Sequence, residues 1–203
     1  MLAHLLIGMF APLALVLGAP VTLVLRTLPP SARRRAGRML HAGITRLVAH
    51  PATALVLTVV PLFALYATPL YLTSTEGPTL HHLLHAHFLA AGYLFAWVVA
   101  GPDPAPRRPS VPVRLVVLGI AIAAHTTLSQ LLYAGVLTPA PDTVADRQAG
   151  ATLMYYGGDV AELMLAFALL TSWRPWAGRR PPAGRRERPP ARRTTVAAAH
   201  GAP

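Results

Sequence analysis

Residues 81–100 read HHLLHAHFLAAGYLFAWVVA, so four histidines open an apolar run that carries no Asp, Glu, Lys or Arg. At about 1.5 Å per residue, a helical run of this length comes close to crossing the roughly 30 Å of hydrocarbon in a bilayer. Histidine at a hydrocarbon edge is costly when charged and awkward when neutral. A group of four therefore calls for water, hydrogen-bond partners or a bound cation. The stretch indicates a membrane protein and marks where its chemistry should be sought.

Four further apolar stretches surround it, near 2–25, 51–72, 113–137 and 151–173, with the stretch above counted as 83–100. The chain is 54% hydrophobic and 12% charged, about half the charged share of a soluble domain. The expected fold is all-α: a polytopic transmembrane bundle of about five helices within residues 1–176. The segment 177–203 is rich in Arg and Pro and poor in large apolar side chains, and is expected to be a disordered cytoplasmic tail. Pro12, Pro20, Pro61 and Pro69 fall inside the apolar stretches. Neighbouring helices can satisfy the carbonyls that proline frees, so kinks are expected there rather than breaks.

All 18 basic residues are Arg, and their placement sets the expected topology. Residues 26–46 hold Arg26, Arg33, Arg34, Arg35, Arg38 and Arg46 without an acid. Residues 101–114 hold Arg107, Arg108 and Arg114 against Asp103. Both loops are expected in the cytoplasm. The alternate loops carry Glu76, and Asp142 and Asp146 against Arg147. The amino terminus is therefore expected outside and the carboxyl terminus inside, which places Tyr66, Tyr71, Tyr133, Tyr155 and Tyr156 near the outer interface and Trp97, Trp173 and Trp176 near the inner one. The first segment lacks the preceding positive charge of a signal peptide and is expected to be a retained helix. The arginines serve topology in this reading, and nucleic acid is not an expected partner.

Cysteine is absent, which leaves His, Met, Asp and Glu as the metal ligands available. His4 opens the first helix, and His81, His82, His85 and His87 open the third. At about 100° per residue, His81 and His85 lie about 40° apart and His82 about 60° to the other side of His85, while His87 points away. The pair His81 and His85 is the candidate metal site, with His4 and His82 as further candidate ligands. Imidazole and thioether without thiolate suit copper better than zinc. A second polar set comprises His125 in the fourth helix with Tyr155, Asp159 and Glu162 along one face of the fifth. It reads equally as a metal or proton site in which a carboxylate orients His125, or as an interhelical hydrogen-bond network. No nucleotide, hydrolase, zinc-protease or haem-attachment motif occurs, so no enzymatic activity is expected.

The segments Met1 to Leu6, Ala11-Pro12-Leu13, Tyr66-Ala67-Thr68-Pro69-Leu70-Tyr71, His81 to Phe88, Gly101-Pro102-Asp103-Pro104, Asp146-Arg147-Gln148-Ala149-Gly150 and Gly157-Gly158-Asp159 occur in an order and spacing that resembles the CtaG-type cytochrome c oxidase assembly proteins. The resemblance covers residues 1 to about 176. It implies a role in maturing a haem-copper terminal oxidase in a bacterial plasma membrane, with oxidase subunits and the lipid bilayer as partners and copper as the handled metal. Two departures stand out. Of the family pattern His-Met-x-x-His only Met1 and His4 stand here, and family members usually carry one or two further helices upstream, so the expectation is either a start upstream of Met1 or a shortened homologue; Asp159 stands where Glu is more usual. A copper or proton transporter and a scaffold without metal are the alternative expectations.

Overall fold

The computed structural model describes residues 1–105, 108–137 and 143–171. The tail at 177–203, Arg107, Asp142, Trp173 and Trp176 lie outside them. The described residues are helical, with no strand among them. The helices are α1 (Leu2–Leu17), α2 (Pro20–Thr27), α3 (Pro30–Leu40), α4 (Gly43–Val48), α5 (Pro51–Ala67), α6 (Leu70–Glu76), α7 (Pro78–Ala100), α8 (Val111–Ala134) and α9 (Val144–Thr171). Helices α7, α8 and α9 are each long and apolar enough to cross a membrane. The count reaches five if the bent pairs α1–α2 and α5–α6 each form one span.

Two of the four internal prolines break their helix. α1 and α2 meet at 43°, at Ala19 in the left-handed region just before Pro20, and α5 and α6 meet at 82°. Thr68 is extended there, because the ring of Pro69 crowds the preceding residue out of helical geometry. Its hydroxyl donates to Ala64 O and accepts from Leu70 N, which ties the two helices across the corner. The other two prolines leave their helices continuous, and in each case a neighbour occupies the carbonyl they free. Pro61 has no N–H for Leu57 O, four residues back, and His87 on α7 donates to that oxygen from Nε2 at 3.2 Å. Pro12 likewise withholds its donor from Gly8 O, and the α-carbon of Gly92 on α7 packs against that carbonyl. A widened π turn at Leu6–Phe10 precedes Pro12.

Contacts between helices fix their directions. Phe88 packs on His4, and Gly92 on Gly8, so α1 and α7 run parallel. Met1 reaches Gly150 and Leu5 reaches Gly157, so α9 runs with them. α8 opposes α9, since His125 meets Gly158 and Gly135 meets Arg147, and α5 opposes α1, since the Tyr66 hydroxyl meets Met1 Sδ while Ala54 shares a cluster with Leu13 and Val16. This alternation gathers the arginine-bearing links at one end of the bundle and His81, His82 and His85 at the other.

Local signals set the helix ends. Thr143 caps α9, its hydroxyl accepting from Asp146 N and donating to the Asp146 carboxylate. Gly135, at φ 77°, closes α8 with Gly135 N donating to Leu132 O and Val136 N to Leu131 O. At the arginine end, Asp103 is 1% exposed and caps α2 from a distant loop. Its carboxylate accepts from Val21 N at 3.1 Å, Thr22 N at 2.7 Å and Thr22 Oγ1 at 2.6 Å. The buried Arg114 donates to Val99 O at 2.9 Å, near the end of α7. Two apolar clusters fill the bundle, one around Trp97, Val99, Leu118 and Leu169, the other around Leu62, Phe88, Leu128 and Met154.

Candidate functional site

The predicted pair His81 and His85 sits on the first turns of α7, with ring centroids 4.3 Å apart. His82 adjoins edge-on, its centroid 6.0 Å from that of His81. His81 and His82 are exposed and His85 is half-buried. Nδ1 of His85 donates to His81 O at 2.8 Å, and Nδ1 of His82 donates to Pro78 O. A neutral imidazole that donates from Nδ1 keeps its lone pair on Nε2, so backbone carbonyls set these rings in the tautomer that binds a metal outward. Among the described residues no group of three His, Asp or Glu side chains is placed to hold a metal ion. The rim therefore brings together a pair of imidazoles, His81 and His85, with His82 beside them. His87 is turned away to Leu57.

His4 belongs to a different group. Its ring meets Phe88 edge-on at 5.0 Å, and its plane lies 26° from that of His125 with centroids 6.4 Å apart. His125 and Glu162 are both buried, Nδ1 to Oε1 at 3.9 Å. The ring of His125 turns its Cε1–Nδ1 edge to Gly158, where any side chain would occupy its place. These three residues line a cavity of about 70 Å³ walled by Met9, Phe88 and Phe95 among others. Nδ1 of His4, both ring nitrogens of His125 and Oε2 of Glu162 are buried without a hydrogen-bond partner in the protein.

The rest of the second predicted set divides. Asp159 is half-buried, three residues before Glu162, within electrostatic reach of Glu162 and His125. Tyr155 packs edge-on against Tyr156 and lines a separate, open groove with Ser129 and Tyr133. The Ser129 hydroxyl donates to His125 O along its own helix. Sequence reasoning missed Asp103 as a helix cap and His87 as the partner of Leu57. The carbonyl freed by Pro61 was a visible signal for the second, since some donor had to meet it.

The sequence model of the cytochrome c oxidase caa3 assembly factor family, Caa3_CtaG, matches residues 1–175. The chain belongs to this family. Proteins of Mycobacterium bovis and Mycobacterium tuberculosis, both described as uncharacterized, are each 35% identical to it over 192 residues, covering 85% of this chain and 29% of the relative. A Mycobacterium leprae protein is 31% identical over the same coverage. The chain thus spans less than a third of the length of these relatives. No solved structure matches it. Within the Caa3_CtaG chain, both histidine groups and the capping Asp103 fall inside the matched residues.

Proposed function

We propose that this chain is a membrane-embedded, non-catalytic assembly factor for a haem-copper cytochrome c oxidase in a bacterial cell membrane, and that it captures copper at the outer rim and passes it to an oxidase subunit. The match to the caa3 assembly factor family across residues 1–175 carries the assembly role. The His81 and His85 pair supports the copper step. His85 holds its Nε2 lone pair outward beside the ring of His81, and two imidazoles bind copper yet leave positions open, so an incoming ligand from a recipient can enter before either histidine leaves. This exchange suits transfer better than storage. The excess of arginine at the opposite end of the bundle supports the histidine rim facing outward.

The test is deletion of the gene in its host, with oxidase activity measured with and without added copper. Loss of activity that copper restores supports delivery. Loss that copper leaves unchanged retains the assembly role and removes the copper step, and undiminished activity removes both.

A further inference from the structure

We propose that the cavity lined by His4, His125 and Glu162 is a second, buried copper site, which takes one Cu(I) between the two imidazoles with the Glu162 carboxylate as its counter-charge. The choice of cargo rests on the copper step proposed above; the site itself rests on separate residues and separate geometry.

Three observations converge on it. The first is the set of orphaned atoms. His125 is 6% exposed and Glu162 5%, and His125 Nδ1, His125 Nε2, Glu162 Oε2 and His4 Nδ1 are all buried without a protein partner. Leaving one buried polar atom unmet costs about 1–3 kcal/mol, so four around one small cavity mark a place shaped for something polar. The cavity is about 70 Å³, room for a bare ion or about two waters. It is too small for an organic ligand of ordinary size.

The second observation is spacing. Two imidazoles that share an ion in a near-linear arrangement, at about 2 Å from each nitrogen, have ring centroids about 6 Å apart, whereas a right-angled arrangement brings them to about 4.5 Å. The centroids of His4 and His125 are 6.4 Å apart with planes 26° from parallel. The rings are held by packing, His4 between Phe88 and the Gly8 face of its own helix and His125 against Gly158.

The third is charge and coordination number. A carboxylate within a membrane span is neutralised either by a proton or by a counter-charge close by, and one monovalent cation would neutralise one Glu162. No group of three His, Asp or Glu side chains among the described residues is placed for a metal, which disfavours zinc with its usual four ligands. Imidazole, with Met9 among the lining residues, favours Cu(I). His4 is also within electrostatic reach of both His85 and His125.

The experiment is an anaerobic titration of the purified full chain in detergent with Cu(I), against a chromophoric Cu(I) chelator. The wild type is expected to bind two equivalents and His81→Ala/His85→Ala one. Adding His125→Gln, or His4→Gln, to that double variant is expected to abolish the remaining equivalent, with gel filtration and Tm confirming an intact fold. X-ray absorption of the singly loaded double variant is expected to show low-coordinate Cu(I) with two nitrogen ligands. The proposal is overturned if the double variant binds no Cu(I), or if its ion survives both glutamine substitutions. One equivalent in the wild type, lost with the rim pair, overturns the buried site while the rim reading stands. No equivalent in the wild type overturns both.

Discussion

An alanine at Gly92 would drive its methyl group into the backbone carbonyl of Gly8, the oxygen that Pro12 leaves without its helical donor. That methyl would also sit 3.0 Å from Pro12 Cγ and 3.1 Å from the Gly8 carbonyl carbon, whereas carbons in contact rest about 3.5–4.0 Å apart. The methyl would overlap Gly8 O, far inside the roughly 3.3–3.6 Å of a C···O contact, so α1 must withdraw from α7 by about 1.2–1.5 Å, and a gap of about 0.5–1 Å already forfeits about a quarter to a half of the dispersion energy across the seam. Overpacking an interior costs about 1–3 kcal/mol, and the upper end applies because a backbone obstacle cannot rotate aside. Alanine returns about 1 kcal/mol through its better helix propensity. The net expectation for Gly92→Ala is a loss of about 2 kcal/mol, equivalent to a fall in Tm of about 4–8 °C for a chain of this size. The control is Gly119→Ala on α8, where an added methyl meets nothing within 4 Å. Thermal unfolding of both variants in the same detergent, followed by circular dichroism, separates them. A Tm for Gly92→Ala equal to or above that of Gly119→Ala would refute the close approach of α1 and α7.

Asp103→Ala leaves the amides of Val21 and Thr22 without their carboxylate and is expected to destabilise the fold by about 3 kcal/mol, with Asp103→Asn losing about half as much, read in the same melting assay. His87→Ala strands Leu57 O beside Pro61; a loss of about 1–3 kcal/mol is expected, with recovery in His87→Gln if the amide reaches the same oxygen and with rim copper binding unchanged in both. Gly158→Ala displaces the ring of His125, which can swing aside as a backbone atom cannot. Calorimetric unfolding should show a modest loss, about 1–3 kcal/mol, while Cu(I) titration of the same variant should show the buried equivalent gone and the rim equivalent kept.

The five apolar stretches and the shared face of His81 and His85 were legible in the sequence because each follows from a local period, hydrophobic length in one case and 100° per residue in the other. The fate of the prolines was not. Pro61 and Pro69 sit in similar apolar surroundings, yet the first is carried through a helix by a donor from α7 and the second turns the chain by 82°. That donor lies 26 residues further along the chain than Pro61, and no local pattern announces it. The grouping of His4 was also hidden. Its depth could be read, and it was weighed as a ligand for the rim pair; its ring instead meets His125 and Phe88 because the parallel packing of α1 and α7 turns it inward. For Asp103 the residue was visible within a family-like segment, but its task depends on the end of α7 returning to the break between α1 and α2.

The most direct test of copper supply to an oxidase is the metal content of that oxidase. Cytochrome c oxidase purified from host cells carrying His81→Ala/His85→Ala, grown at limiting copper, should contain its full haem and less copper per haem than oxidase from cells with the wild-type chain. Oxidase with full copper from the variant cells would contradict the account.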